Sequence, residues 1–356
     1  MEVFKIAAIW SNVWPYLLAI FLFGIIIVIH EFGHFSFAKL FKVKVNEFSI
    51  GMGPKLLQKQ KGETAYSIRL FPIGGFVSME GEDEQSEDEN AFNNKPAWQR
   101  FIIVAAGAVL NMLLGILVVS ICLSCSELVG TRTIHSFMDG ATSSQSGLQA
   151  GDEIIKINGT NVYSSKGVSY NIVRDVDDKL DITVIRNGSK IVLKDVKFNQ
   201  FEYENRLYIQ QDFYLVGEEP TFLNVLENSF RETASIVQMV RLSLVDLCTG
   251  KYGMKDVSGP IGTISAIAEN TAEPEVFSDK ILTALNFLSM ITINVGMFNL
   301  LPIPALDGGR LFFILIEMIT RKSIPKKSEA IVHTIGLVLL LILMVVISIS
   351  DVINIF

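Results

Sequence analysis

Ile29-His30-Glu31-Phe32-Gly33-His34 ends a long apolar run and governs the reading of the whole chain. The residues before it, Val13-Trp14-Pro15-Tyr16-Leu17-Leu18-Ala19-Ile20-Phe21-Leu22-Phe23-Gly24-Ile25-Ile26-Ile27-Val28-Ile29, carry no charge. Continued as a helix to Ala38, they exceed the roughly 20 residues that a bilayer span requires. Two histidines four apart on a helix project to the same side, where their imidazole nitrogens can share one zinc ion. The glutamate beside the first can take a proton from a water at that ion. The chain holds only 4 histidines, so this spacing is rare by chance. The alternative, a His/Glu cluster snorkelling at a helix end, leaves three ionisable groups at membrane depth without a partner or a task. A signal peptide fits poorly, because no basic start precedes the run and no small-residue cleavage site follows it.

The wider composition agrees. The 356 residues are 50% hydrophobic and 19% charged, with a mean hydropathy of +0.41. That is too apolar for an ordinary soluble domain and implies several spans plus some water-exposed mass. A net charge of -7 gives no basic stripe and no case for a nucleic-acid partner. Cys122 and Cys125 lie at the end of an apolar run and read as packed thiols, and with Cys248 they lack the density of a disulfide framework.

Working outward, residues 39–100 are polar and carry Lys39, Lys42, Lys44, Lys55, Lys59, Lys61, Arg69, Lys95 and Arg100, the signature of a cytoplasmic loop. Inside it, Phe71-Pro72-Ile73-Gly74-Gly75-Phe76-Val77-Ser78-Met79 is apolar, β-prone and broken by a glycine pair, which predicts a hairpin. Such a hairpin either dips into the membrane under protein cover or belongs to a small soluble lobe. Glu80 to Glu89 reads as an acidic linker. Phe101–Cys125 is a second span, with Asn111 facing protein. The character changes over residues 126–215, where Ile182–Arg186 and Ser189–Leu193 alternate around Asn187-Gly188, a strong hairpin signal in a β-rich soluble domain. Residues 216–280 form an amphipathic helical linker, either on the membrane surface or packed on that domain. A third span covers 281–306 and a fourth 331–350. Arg310, Arg321, Lys322, Lys326 and Lys327 between them give a second cytoplasmic loop. The expected fold is a multi-pass α-helical membrane protein of about four transmembrane helices. A membrane-reentrant β-hairpin and an inserted extracytoplasmic β-rich domain complete it. Residues 1–125 and 281–356 form the two parts of the membrane core.

A zinc ion at His30 and His34 needs a third protein ligand and leaves a fourth position for water. Asp307 stands at the cytoplasmic end of span three, at the depth of His30, in Asn299-Leu300-Leu301-Pro302-Ile303-Pro304-Ala305-Leu306-Asp307-Gly308-Gly309-Arg310. Its other reading is the N-cap of a helix starting at Arg310. Asn299 either donates to a substrate carbonyl or braces helices.

His30-Glu31-Phe32-Gly33-His34 together with Asn299-x-x-Pro302-x-Pro304-x-x-Asp307-Gly308 resembles the site-2 protease family of intramembrane zinc metalloproteases. Phe71–Val77 is similar to that family's reentrant β-loop. Gly147-Leu148-x-x-Gly151-Asp152-x-Ile154-x-x-Ile157-Asn158-Gly159 is similar to a circularly permuted PDZ domain, and Ser258-Gly259-Pro260-Ile261-Gly262 to the segment before the third span. The order of parts matches the RseP-like bacterial branch over nearly the whole chain, with one PDZ domain where some relatives have two. Gly107-Ala108-x-x-Asn111 has alanine where the family often has proline. The resemblance implies an endopeptidase of the bacterial inner membrane. Zinc would sit on His30, His34 and Asp307, with Glu31 as general base. Gly74, Gly75 and Phe76 with Asn299 would hold the substrate. It implies transmembrane substrates, such as anti-sigma factors or remnant signal peptides, trimmed beforehand by another protease, and a PDZ domain on the periplasmic side. The competing reading is a membrane PDZ scaffold with a structural or inactive metal site, against which an intact Glu31 argues. A zinc transporter leaves a soluble peptide-binding domain without a use.

Overall fold

The computed structural model describes residues 2–82, 84–175, 177–203, 206–251, 259–272, 274, 276–322 and 325–355. Helix α1 (Glu2–Leu40) leads into strands β1 (Val45–Lys61) and β2 (Thr64–Met79), then α2 (Ala97–Cys125). Next come β3 (Val129–Phe137), α3 (Thr142–Gln145), β4 (Glu153–Ile157), β5 (Thr160–Asn161) and α4 (Ser165–Val173). Strands β6 (Lys179–Arg186), β7 (Ser189–Lys197), β8 (Gln200–Tyr203), β9 (Arg206–Ile209) and β10 (Phe213–Glu218) follow. The remainder is helical: α5 (Phe222–Cys248), α6 (Pro260–Ala272), α7 (Phe277–Leu300), α8 (Asp307–Thr320) and α9 (Lys326–Ile355). Two compact units emerge, one from residues 1–115 with 246–356, the other from residues 116–245.

The first unit holds the apolar helices. Among the described residues, four are long and apolar enough to cross a membrane: Val13–Leu40, Ala97–Cys125, Phe277–Leu300 and Lys327–Ile353. The chain is thus a multi-pass helical membrane protein with added strands. On α9, Leu337, Leu339, Leu341, Leu343 and Val345 are all exposed, as expected of a helix that is apolar all round and meets lipid rather than a protein core. Close helix approach depends on missing side chains. An added Cβ on Gly33 of α1 would lie 2.6 Å from the Ala106 carbonyl oxygen of α2, and one on Gly115 would lie 2.3 Å from Ile293 of α7.

Helix α6 starts with Pro260 and follows Gly259, which has no side chain to cap it. Asp351, near the end of α9, supplies the cap: its carboxylate accepts the Gly259 N–H at 3.0 Å and the Gly262 N–H at 2.9 Å. This accounts for the glycines of the 258–262 segment; Ser258 itself lies outside the described residues.

The β1–β2 hairpin turns at Gly62, not at Gly74-Gly75 as the glycine pair suggests. Lys61 pairs with Thr64, while Val45–Ile50 pairs with Gly75–Met79 and also lies beside Ala65–Ile68. Both long strands bend midway. Gly51, Gly53 and Gly74 take φ values of +85°, +86° and +92°, open only to glycine at low cost. The bends fold one long hairpin into a small layered sheet, whose last stretch, Gly75–Met79, returns to α1.

The second unit is a sheet in the order β10-β3-β4-β6-β7, with β5 beside β4. Leu180, Ile182 and Val184 of β6 alternate inward and are buried with Ile134, Ile154, Ile157 and Phe213. The hairpin at Asn187-Gly188 forms as read, both residues having positive φ (51° and 75°) as a two-residue turn demands. Asp152 is fully buried and meets Arg186 through two hydrogen bonds of 2.6 and 2.7 Å. Helix α5 packs on this unit over residues 222–245. Gln238 donates to the Asn161 carbonyl at 2.8 Å and Ser164 to Ser235 at 2.9 Å. Its Leu223 and Phe230 remain exposed.

Candidate metal centre

His30 and His34 stand one turn apart on α1, and Asp307 is the first residue of α8. The His30 Nε2 lies 3.0 Å and the His34 Nε2 3.3 Å from the same Asp307 oxygen, Oδ2, and the two nitrogens lie 3.2 Å from each other. Ligands about 2.0–2.1 Å from a tetrahedral zinc sit about 3.3 Å apart. The three atoms therefore match one face of such a tetrahedron, and they are the His/Asp group able to hold a metal ion. Asp307 Oδ2 is buried without a proper hydrogen-bond partner among the described residues, as befits a ligand atom.

Each side chain of this group is aimed by what lies behind it. The Nδ1 of His34 lies 2.9 Å from the Ile103 carbonyl oxygen of α2, which takes its proton and leaves Nε2 free. The side-chain amide of Asn111, fully buried on α2, lies 3.4 Å from the His30 Nδ1. Gly107 lies between these two α2 positions, where an added Cβ would stand 2.5 Å from His34 Nε2 and 2.8 Å from His30 Cε1. No other residue type leaves room for both imidazoles.

Asp307 is not a helix cap. It is the first helical residue of α8, the residue before it is Leu306, and no side chain caps that end. Its placement comes from close backbone packing: an added Cβ on Gly308 would fall 1.8 Å from the Leu301 carbonyl oxygen. The two glycines let α8 begin directly over the residues that end α7.

Glu31 faces the same cavity of about 200 Å³, lined also by Phe76, Val77, Met79, Glu82, Val104 and Arg310. The returning strand passes close to it, since an added Cβ on Gly75 would lie 3.3 Å from Glu31 Cγ. Gly74 is one residue further out, packed over Met52. Asn299 is in the last turn of α7, half-buried, and is not among the residues lining the cavity. Glu82 and Arg310 form an ion pair at the cavity edge. These two, with Gly107 and the Asn111–His30 contact, escaped the sequence reading. Only the resemblance drew attention to the Gly107–Asn111 stretch.

Residues 18–343 match Peptidase family M50. A Clostridium acetobutylicum protein bearing the name zinc metalloprotease shares 38% identity over 94% of this chain and 96% of its own length. Its namesake from Clostridium perfringens shares 36% over 94% and 97%. The regulator of sigma-W protease RasP of Bacillus subtilis shares 27% over 95% and 98%. With this match over most of its length and four helices fit to cross a membrane, the chain belongs to peptidase family M50, the site-2 proteases, and is an intramembrane zinc metalloprotease.

Proposed function

We propose that His30, His34 and Asp307 hold the zinc, that Glu31 is the general base, and that the substrate is a transmembrane segment laid along Gly75–Met79. The convergence of the two Nε2 atoms and Asp307 Oδ2 within 3.3 Å, with Glu31 in the same cavity, carries this reading. Zinc, when bound, supplies Lewis acidity toward a peptide carbonyl and makes water a better nucleophile near neutral pH. Glu31 removes the proton from the attacking water and returns it to the leaving amine nitrogen as the C–N bond breaks. His34 and His30 stay in the Nδ1–H tautomer through Ile103 and Asn111. A helical substrate hides its carbonyls in its own hydrogen bonds, so it must be extended first. Gly75–Met79 supports that step by strand addition, with Gly74, Gly75 and Phe76 as contacts, and Asn299 as a donor once the substrate is seated.

RasP is named as a regulator of sigma-W. By that analogy, the substrates here are membrane proteins such as anti-sigma factors or remnant signal peptides, shortened beforehand by another protease. The chain then belongs to the RseP-like branch and resides in the bacterial inner membrane. Residues 126–215 form a PDZ domain on the periplasmic side, 216–280 a helical linker, and 1–125 with 281–356 the catalytic core. The reentrant element is the β1–β2 hairpin. The lysine and arginine content of 39–100 and 310–327 supports a cytoplasmic position for both loops.

Purified Glu31→Gln is expected to keep one zinc per chain and to lose cleavage of a transmembrane reporter. Asp307→Ala is expected to lose both. Full zinc and normal turnover in Asp307→Ala would overturn the ligand set.

A further inference from the structure

The segment that delivers Asp307 is a strained turn. Leu306 N–H donates to the Ile303 carbonyl at 3.2 Å, closing four residues with Pro304 second and Ala305 third. Ala305 has φ +76°, the conformation that a type II turn requires at its third position and that glycine normally supplies. The Ala305 N–H points out of the turn and donates to Nδ1 of His333 on α9 at 3.1 Å. Gly336, one turn along the same face of α9, rests on the turn as well, where an added Cβ would lie 2.3 Å from Pro304 Cβ. On the α8 side, an added Cβ on Gly309 would stand 3.0 Å from His333 Cε1, and the Phe313 ring centre lies 5.8 Å from the imidazole. The imidazole is thus fitted between the turn and the first turns of α8, and His333 lines one cavity with Ala305, Leu306 and Asp307.

We propose that His333 is a positioning residue for the metal centre: by accepting the Ala305 N–H it holds this strained turn, and the turn aims Asp307 at His30 and His34. The proposal rests on Asp307 being a zinc ligand. Three observations converge on it: an alanine where the backbone favours glycine, an imidazole acceptor matched to the one exposed N–H of the turn, and close packing of Gly336 and Gly309 on either side. Because the Nδ1 accepts, the proton sits on Nε2. That nitrogen is buried and meets no partner among the described residues, so the ring orientation answers to Ala305 alone.

The test uses the full chain in detergent. Zinc affinity is read by competition with a chromophoric chelator, and site geometry by the visible spectrum of the cobalt-substituted protein. His333→Ala is expected to weaken zinc about 10–100-fold, the usual cost of losing a group that orients a ligand, and to change the cobalt spectrum. His333→Asn, whose Oδ1 can accept the same N–H, should recover much of the affinity. Ala305→Gly in the His333→Ala background should do so too, because glycine holds the positive φ unaided. Wild-type affinity in His333→Ala overturns the proposal. So does a loss that neither His333→Asn nor Ala305→Gly repairs, which marks the imidazole as packing or a ligand. If His333→Ala alone does not fold, the double variant decides: it must fold and bind zinc within about tenfold of wild type. Asp307→Ala serves as reference. Zinc retained there refutes the ligand reading itself, whereas zinc lost there but kept in His333→Ala refutes only the role of His333.

Discussion

The Nδ1 of His34 on α1 lies 2.9 Å from the carbonyl oxygen of Ile103 on α2, 69 positions along the chain. A backbone oxygen can only accept, so this contact fixes the proton on Nδ1 and the lone pair on Nε2. Among the described residues His30 has no such carbonyl; its Nδ1 meets the amide of Asn111. The Asn111 Oδ1 is buried without a partner among the described residues, and turning the amide by half a rotation places that oxygen against the Nδ1–H of His30. Asn111→Ala is therefore expected to weaken zinc about 10–100-fold while the fold persists. Asn111→Gln, too long for the same space, should not restore it. Chelator competition on the purified variants checks both, and unchanged affinity in Asn111→Ala would remove the amide from the account of His30.

Gly107 makes a sharper case. Its added Cβ would stand 2.5 Å from His34 Nε2, inside the volume the metal and its ligands need. Gly107→Ala should abolish stoichiometric zinc, with a packing cost of about 1–3 kcal/mol as α1 and α2 are forced apart. Metal analysis reads the first effect and thermal unfolding the second. A variant with one zinc per chain would show that the two helices yield more easily than their glycines imply.

In the β-rich unit, Asp152 is fully buried and depends on Arg186 for both of its oxygens, with the Gln149 N–H adding one bond at 2.9 Å. Arg186→Ala strands a buried charge and is expected to destabilise this unit by about 3 kcal/mol. Amide exchange across Ile182–Leu193 should rise accordingly, whereas exchange in α1 stays unchanged.

The hairpin has its own pH dependence. Burial would raise the Glu47 carboxyl, but hydrogen bonds from Ser67, Arg69 and Lys55 outweigh it and hold the group at about 2, below its ordinary 4.5. The folded form thus binds its proton less readily than the unfolded chain. Stability from this cluster is complete above about 4.5 and is lost as pH falls from there through about 2. Amide exchange in Glu47–Ile50 and Ala65–Arg69 should accelerate over that interval. In Glu47→Gln it should be faster throughout and lack the step; a step that survives the substitution assigns it to another carboxylate.

How much of this was legible beforehand depended on chain distance. The i, i+4 histidines lie on one helix, so spacing alone placed them together. Asp307 stands out in the sequence because a carboxylate inside an apolar segment is conspicuous. The Asn187-Gly188 turn is dictated by two adjacent residues. Gly107 and Asp351 act across helix–helix contacts more than 70 positions apart in sequence, and His333 acts on a turn 28 positions away; no local periodicity marks any of them as a neighbour of the residue it serves. The hairpin turn was misplaced for a related reason: Gly74-Gly75 has the composition of a turn, but pairing of Val45–Ile50 with Gly75–Met79 makes it a bend within a strand. Helix α6 falls within the helical linker read over 216–280, but its start was not legible, because its cap comes from α9.

The same strand carries the last prediction. Gly75–Met79 pairs along one edge with Val45–Ile50 and has no second strand partner among the described residues. Its other edge is the one proposed to take an extended substrate. In an antiparallel pair, successive residues direct their N–H groups alternately toward the partner strand and away from it. Proline removes one N–H without removing the strand's other contacts. Phe76→Pro and Ser78→Pro should therefore behave alike, and Val77→Pro differently. One parity should break the ladder to Val45–Ile50, exposing the hairpin to exchange and disturbing Glu31 through Gly75. The other should leave the hairpin and its zinc intact and still lose cleavage, because it removes an N–H offered to the substrate or, at Val77, to the Glu31 carboxylate. Cleavage of a transmembrane reporter, zinc content and amide exchange on the three variants separate these outcomes. If the variant that keeps hairpin and zinc also keeps wild-type cleavage, the substrate does not add to this edge, and the glycines beside Glu31 serve only to admit the strand.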